Sequence, residues 1–141
     1  MKHYAKYLPY VILMTALLST LASFYFSEIM KLVPCVLCWY SRVALFPIVP
    51  ISVVGILKKD KNLPLYILPL SIGGWLISLY HNLLYYHIIP EAIAPCQQGV
   101  SCTQKLLALF GFIDIPLGAF LAFTFINLCT IIYLKSLKKK A

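Results

Sequence analysis

Residues 115–134 read IPLGAFLAFTFINLCTIIYL, twenty residues without a charge. As a helix rising 1.5 Å per residue, that run covers about 30 Å, the hydrocarbon thickness of a bilayer. Three more runs of this kind precede it, at residues 10–29, 40–57 and 65–89. The third is longer than a crossing needs, so it should tilt or run past the interface at Tyr85, Tyr86 and His87. Pro47, Pro50 and Pro69 fall inside these runs, where membrane helices accept proline at the cost of kinks.

The whole composition agrees. Of 141 residues, 62% are apolar and 11% charged, too few polar groups to cover a soluble domain of this size. The net charge of +8 would suit nucleic acid only if it formed a basic face on a soluble fold. Here the basic residues gather in short loops and at the tail, so no nucleic-acid partner is expected. Lys2 and Lys6 before the first run resemble the start of a signal peptide. The run is longer than such a segment needs and no clear small-residue cleavage site follows it. LVPC at residues 32–35 resembles a lipoprotein box, but Pro34 fits one poorly. The first run is therefore expected to stay as an uncleaved helix.

Lysines set the expected orientation. Lys2, Lys6, Lys58, Lys59, Lys61, Lys135, Lys138, Lys139 and Lys140 lie at the termini and in the middle loop, against Lys31, Arg42 and Lys105 in the other two loops. Both termini and the middle loop should face the cytoplasm. The expected fold is an all-α membrane protein, one domain over residues 1–141, folded as an up-down bundle of four transmembrane helices. In the third loop, TQKLLALFGF (residues 103–112) is apolar enough for a short helix along the membrane surface.

This topology puts two cysteine pairs outside, where disulfides form and persist. The first lies in PCVLCWYSR (residues 34–42) as Cys35 and Cys38. A thiol at a helix start meets the positive end of the helix dipole, which favours its thiolate. Arg42 follows Cys38 by four residues and shares its helical face. An arginine so near hydrocarbon is costly; it either snorkels to the interface or serves a function. Cys96 and Cys102 close a small ring over QQGVS, either a plain structural bridge or an exchangeable one. Cys129, within the last run, reads as an apolar packing residue. Four thiols in two pairs could also hold zinc, but the looser second spacing and an oxidising compartment oppose it, and no metal is expected.

Two thiol pairs on one side of a membrane suggest a relay: one pair exchanges with a soluble protein, the other passes electrons into the bilayer. No haem, flavin or iron–sulfur motif is present to receive them. A quinone needs none, only an apolar slot with polar anchors, and Cys38, Trp39, Tyr40 and Arg42 stand at suitable depth.

PCVLCWYSR, then CQQGVSCT (residues 96–103), then FGFIDIPLGAFLAF (residues 110–123) together resemble the DsbB family of disulfide-forming membrane oxidoreductases. Within it they are most similar to the short-loop branch called BdbC in Gram-positive bacteria. The resemblance covers nearly the whole chain. It implies that Cys96 and Cys102 face a thioredoxin-like extracytoplasmic oxidase of the DsbA or BdbD type, with Cys96 forming the mixed disulfide. It implies that Cys35 and Cys38 face the membrane quinone pool, that Cys38 contacts the quinone, and that Arg42 stabilises its reduced form. His81, in LYHNLL, is the nearest counterpart of a quinone-side histidine, with His87 second. The short-loop branch usually works with menaquinone; no residue here distinguishes it from ubiquinone. The location implied is the bacterial cytoplasmic membrane, with the redox cysteines outside. Two other classes remain: a scaffold with two structural disulfides, and a vitamin K epoxide reductase-like enzyme. The latter carries its C-x-x-C at the fourth helix, the reverse of the order here.

Overall fold

The computed structural model describes residues 4–31, 34–90, 108–109 and 113–139. Helix α1 spans Tyr4–Phe24 and runs into a single π-helical turn, Tyr25–Ile29. The second span is two helices, α2 (Val36–Leu45) and α3 (Ile48–Leu57). Then come α4 (Leu63–Tyr85), two short strands, β1 (Ala108–Leu109) and β2 (Ile113–Asp114), and α5 (Ile115–Lys138). Four segments are long and apolar enough to cross a membrane: Lys6–Ile29, Val36–Leu57, Leu63–Tyr85 and Ile115–Lys138. The chain is a multi-pass membrane protein, as the apolar runs require.

The spans form a ring in which α1 packs on α5 and on α2–α3, and α4 packs on α5 and on α2–α3. Three polar rungs tie α4 to α5. Ser71 Oγ donates to Asn127 Oδ1 at 2.7 Å and Asn127 Nδ2 returns a bond to the Ser71 carbonyl at 3.3 Å. Trp75 Nε1 donates to Thr124 Oγ1 at 3.0 Å, and Asn82 Nδ2 to the Pro116 carbonyl at 2.9 Å. As position rises along α4 from 71 to 82, its partner falls along α5 from 127 to 116, so the two helices are antiparallel. Between lipid-facing helices there is little hydrophobic drive, and such bonds with close packing hold the pair instead. Gly74 supplies the close approach: a Cβ there would run into the Phe123 ring. Phe123 is fully buried in a core with Ile12, Ala16, Ala44, Leu45, Ile48, Leu63, Ile67 and Ile126. Cys129 belongs to this core as well, the packing role its position suggested.

Prolines have unequal effects. Pro9 and Pro69 lie inside intact helices, but the second span breaks at Phe46 and Pro47. Pro47 and Pro50 both lack an N–H, so the carbonyls of Val43 and Phe46 lose the donors a continuous helix would give them. Val49 N–H compensates at the Phe46 carbonyl (3.3 Å), and Ile51 N–H opens the new ladder on Pro47 (3.1 Å).

The third span ends at Tyr85, before the residue 89 expected from hydropathy. His87 takes a left-handed φ of 56°, its N–H bonds the Leu84 carbonyl, and Ile88 N–H bonds the Leu83 carbonyl, each at 3.0 Å. This is a Schellman cap with histidine in the place glycine usually holds, and it turns the chain off the helix axis. Part of the expected surface helix over residues 103–112 is strand instead: Ala108 pairs with Asp114 and Leu109 with Ile113. A short apolar run marks burial without choosing between helix and strand. The rest of that segment, with Cys96 and Cys102, lies outside the described residues.

Candidate functional site

Pro34 and Cys35 set the geometry. Cys35 is extended (φ −68°, ψ 167°) and is the N-cap of α2; its sulfur accepts the Cys38 N–H at 3.4 Å. An N-cap acceptor satisfies one of the amides that a helix start leaves unpaired. Here the acceptor is sulfur, so the cap itself favours the thiolate. One turn of α2 then brings Cys38 Sγ to 2.8 Å from Cys35 Sγ.

The end of α4 closes over this turn. Cys35, Leu37 and Leu84 form a small buried cluster, with Cys38, Ile77, Tyr80 and Ile89 packed around it. His81 reaches into it from α4, only 4% exposed, and its Nε2 stands 3.7 Å from Cys35 Sγ. Cys35 itself is 7% exposed, while Cys38 is half-buried. The Cys35 thiol is pulled down to about 4, first by the hydrogen bond from the Cys38 thiol and then by His81, against the opposing effect of burial. In the reduced pair the negative charge therefore rests on Cys35.

Arg42, one turn beyond Cys38, leans toward the first span. Its Nη2 donates to the Ser23 carbonyl at 3.0 Å and to Ser27 Oγ, and Ser27 Oγ in turn donates to the Ser23 carbonyl at 3.2 Å. The guanidinium carbon lies 5.6 Å from the centre of the Trp39 ring, within cation–π range. Ser23 and Ser27 flank the change from α to π winding at Tyr25, which is a common setting for functional side chains. A guanidinium has five N–H groups; among the described residues, only Nη2 makes a hydrogen bond. Trp39, more than half exposed, presents an apolar face beside these donors; Tyr40, also exposed, lies on another side of α2, about 160° round from Arg42.

Of the residues singled out from sequence, Cys35, Cys38, Arg42 and His81 meet at one end of the bundle. Cys96 and Cys102 lie outside the described residues. His87 is exposed and serves the helix cap rather than this cluster. Sequence reasoning missed Ser23 and Ser27. Their signal was two serines four apart near the C-terminal end of an apolar run, where a hydroxyl finds partners on a neighbouring helix.

The ligand atoms of Cys35, Cys38 and His81 lie within 4.8 Å of one another, which raises the question of a metal. Two thiolates on one tetrahedral zinc, each at about 2.3 Å, stand about 3.8 Å apart. At 2.8 Å the sulfurs are closer than shared zinc ligands, and a disulfide at about 2.05 Å needs only a short approach. The geometry favours sulfur–sulfur bond chemistry. The exposed Trp39 ring and the Arg42 guanidinium, with the half-buried Cys38 one turn before it, put an apolar face and a cation beside the pair.

Comparison with known proteins agrees with this chemistry. The family described as "Disulfide bond formation protein DsbB" matches residues 5–134. A "Probable disulfide formation protein C" from Halalkalibacterium halodurans is 41% identical over 122 residues, 86% of this chain and 89% of the relative. "Disulfide bond formation protein C" of Bacillus subtilis is 41% identical over 111 residues, 79% of this chain and 80% of the relative. A "Probable disulfide formation protein" from Metapseudomonas resinovorans is 38% identical over 120 residues, 84% and 83% of the two chains. No solved structure matches.

Proposed function

Because the chain belongs to the DsbB family of disulfide bond formation proteins, we propose that it is a thiol:quinone oxidoreductase. It would recharge a thioredoxin-like oxidase outside the cytoplasm. The observation that carries this reading is the Cys35–Cys38 pair, 2.8 Å apart, at the head of an apolar span beside an arginine that uses only Nη2 among the described residues.

The lysine distribution supports cytoplasmic termini, with both cysteine pairs on the outer face of a bacterial cytoplasmic membrane. In this reading the Cys96–Cys102 pair enters the cycle as a disulfide. A thiolate of the reduced oxidase attacks Cys96, the ring opens, and the oxidase leaves with its own disulfide formed. The Cys96–Cys102 dithiol is then reoxidised by the Cys35–Cys38 disulfide. A bound quinone, menaquinone or ubiquinone, supplies a two-electron, two-proton acceptor. Cys38, the less buried sulfur, faces that acceptor. Arg42 is held where its charge offsets the negative charge that builds on a reduced acceptor, and Trp39 lines its apolar side. Each 30 mV of potential difference drives this two-electron transfer by about 1.4 kcal/mol, so a quinone pool can pull an uphill internal exchange.

The test uses purified protein in detergent, a reduced thioredoxin-like oxidase and a soluble quinone analogue, followed by quinone absorbance. Reduction should be lost in both Cys38→Ser and Cys96→Ser, while Cys38→Ser still traps the oxidase at Cys96. Full turnover in Cys38→Ser overturns the assignment of that sulfur. No quinone reduction by the wild type, with both pairs resistant to mild reductant, favours a scaffold with structural disulfides.

A further inference from the structure

Oxidising a dithiol to a disulfide releases two protons as well as two electrons. Among the described residues, His81 is the one imidazole or carboxylate within reach of a sulfur in this cluster. His81 lies 46 residues from Cys35 in sequence, is almost fully buried, and has Nε2 at 3.7 Å from Cys35 Sγ. A neutral imidazole accepts through one ring nitrogen. Accepting at Nε2 requires the tautomer with hydrogen on Nδ1.

We propose that His81 is the proton acceptor of the Cys35–Cys38 pair, acting on the sulfur that is farther from the electron acceptor. Resting on the quinone reading above, the step balances as follows. The Cys35 thiol gives its proton to His81 Nε2. Cys38 keeps its proton toward the Cys35 thiolate until it engages the acceptor. The two sulfurs then bond, two electrons pass to the quinone, and the two protons end on its two oxygens as hydroxyls. His81 returns to the neutral state.

The surroundings leave few rivals. The titratable and charged groups near Cys35 are Cys38 from α2, Arg42 from the same helix, whose charge acts on Cys38, and Tyr80 and His81 from α4. Only Cys38 and His81 act on the Cys35 thiol, and no carboxylate among the described residues does. His81 is itself almost fully buried, so a transferred proton is shielded from exchange with bulk water.

The experiment needs neither quinone nor oxidase. The reduced full-length protein in detergent is titrated by its ultraviolet thiolate absorbance, and the Cys35 signal is the part missing in Cys35→Ser. The wild-type midpoint should fall below about pH 6, against about 8.5 for a free thiol. In His81→Gln it should rise by at least about one unit. A wild-type midpoint near that of a free thiol overturns the proposal by itself, even if His81→Gln does not fold. An unmoved midpoint in a folded His81→Gln overturns it too. A low midpoint that depends on His81, in a protein that reduces no quinone, would sink the acceptor reading and leave the proton assignment standing.

Discussion

Arg42 of α2 is bonded through Nη2 to Ser27 of the π-helical turn, so a side chain of the first span holds the charge of the second. The adjoining Ser23 carbonyl takes a second bond from the same nitrogen at 3.0 Å. An arginine left free at this depth would snorkel toward water. The serine turn keeps it beside Cys38 and the Trp39 ring.

Ser27→Ala should therefore weaken acceptor binding without touching the sulfurs. A hydrogen bond to a charged group contributes about 1.5–3 kcal/mol; at this half-buried site we expect the lower end, about a tenfold rise in KM for a quinone analogue. The kcat should change much less, and Ser27→Thr should restore most of the loss. Steady-state quinone reduction separates the two constants. An equal fall in kcat with KM unchanged would show that Ser27 does not act through Arg42.

The Cys35 thiol also makes the stability of the reduced protein depend on pH. Its folded value, about 4, lies below the ordinary thiol value of 9.0. A depressed group stabilises the fold above its unfolded value, and that stabilisation is lost as pH falls toward the folded value. Between about pH 9 and pH 4 the unfolded chain binds a proton that the folded chain refuses. Reduced protein should thus melt at a lower temperature at pH 5 than at pH 8, relative to Cys35→Ser. With Cys35 and Cys38 joined as a disulfide, Cys35 has no thiol to titrate and this difference should vanish. Paired melting curves in detergent check both statements.

Gly73 and Gly74 give a neighbouring test and control. A Cβ on Gly74 meets the Phe123 ring, whereas one on Gly73 meets nothing within 4 Å. Gly74→Ala should cost about 1–3 kcal/mol, as overpacking typically does, and lower the melting temperature. Gly73→Ala should be neutral or stabilising by up to about 1 kcal/mol through helix propensity. Equal effects at both positions would mean that close packing of α4 on α5 does not depend on Gly74.

The four spans were legible because hydropathy over some twenty residues integrates many small signals, and no single residue can overturn it. Cys35, Cys38 and Arg42 were legible because their spacing is local to one helix start. The bond from Arg42 to Ser27 crosses 15 residues and the contact from His81 to Cys35 crosses 46, and spacing carries no information at that range. The family resemblance pointed to His81, but to the acceptor side of the site rather than to Cys35. The break at Pro47 was half visible. Proline forecast a kink there and at Pro69 alike, yet only the pair Pro47 and Pro50, three apart, removes two nearby donors and splits the span.

That split has a mechanical consequence. A continuous helix transmits torque from one face of the bilayer to the other; this span keeps helical dihedrals through Phe46 and Pro47 but lacks ladder bonds there, so it bends most easily at that step. The ten residues of α2 make a lever about 15 Å long, and a 5° swing about the Phe46–Pro47 pivot displaces its tip by about 1.3 Å. The tip is Cys35. A movement of that size is enough to make or break its 3.7 Å contact with His81.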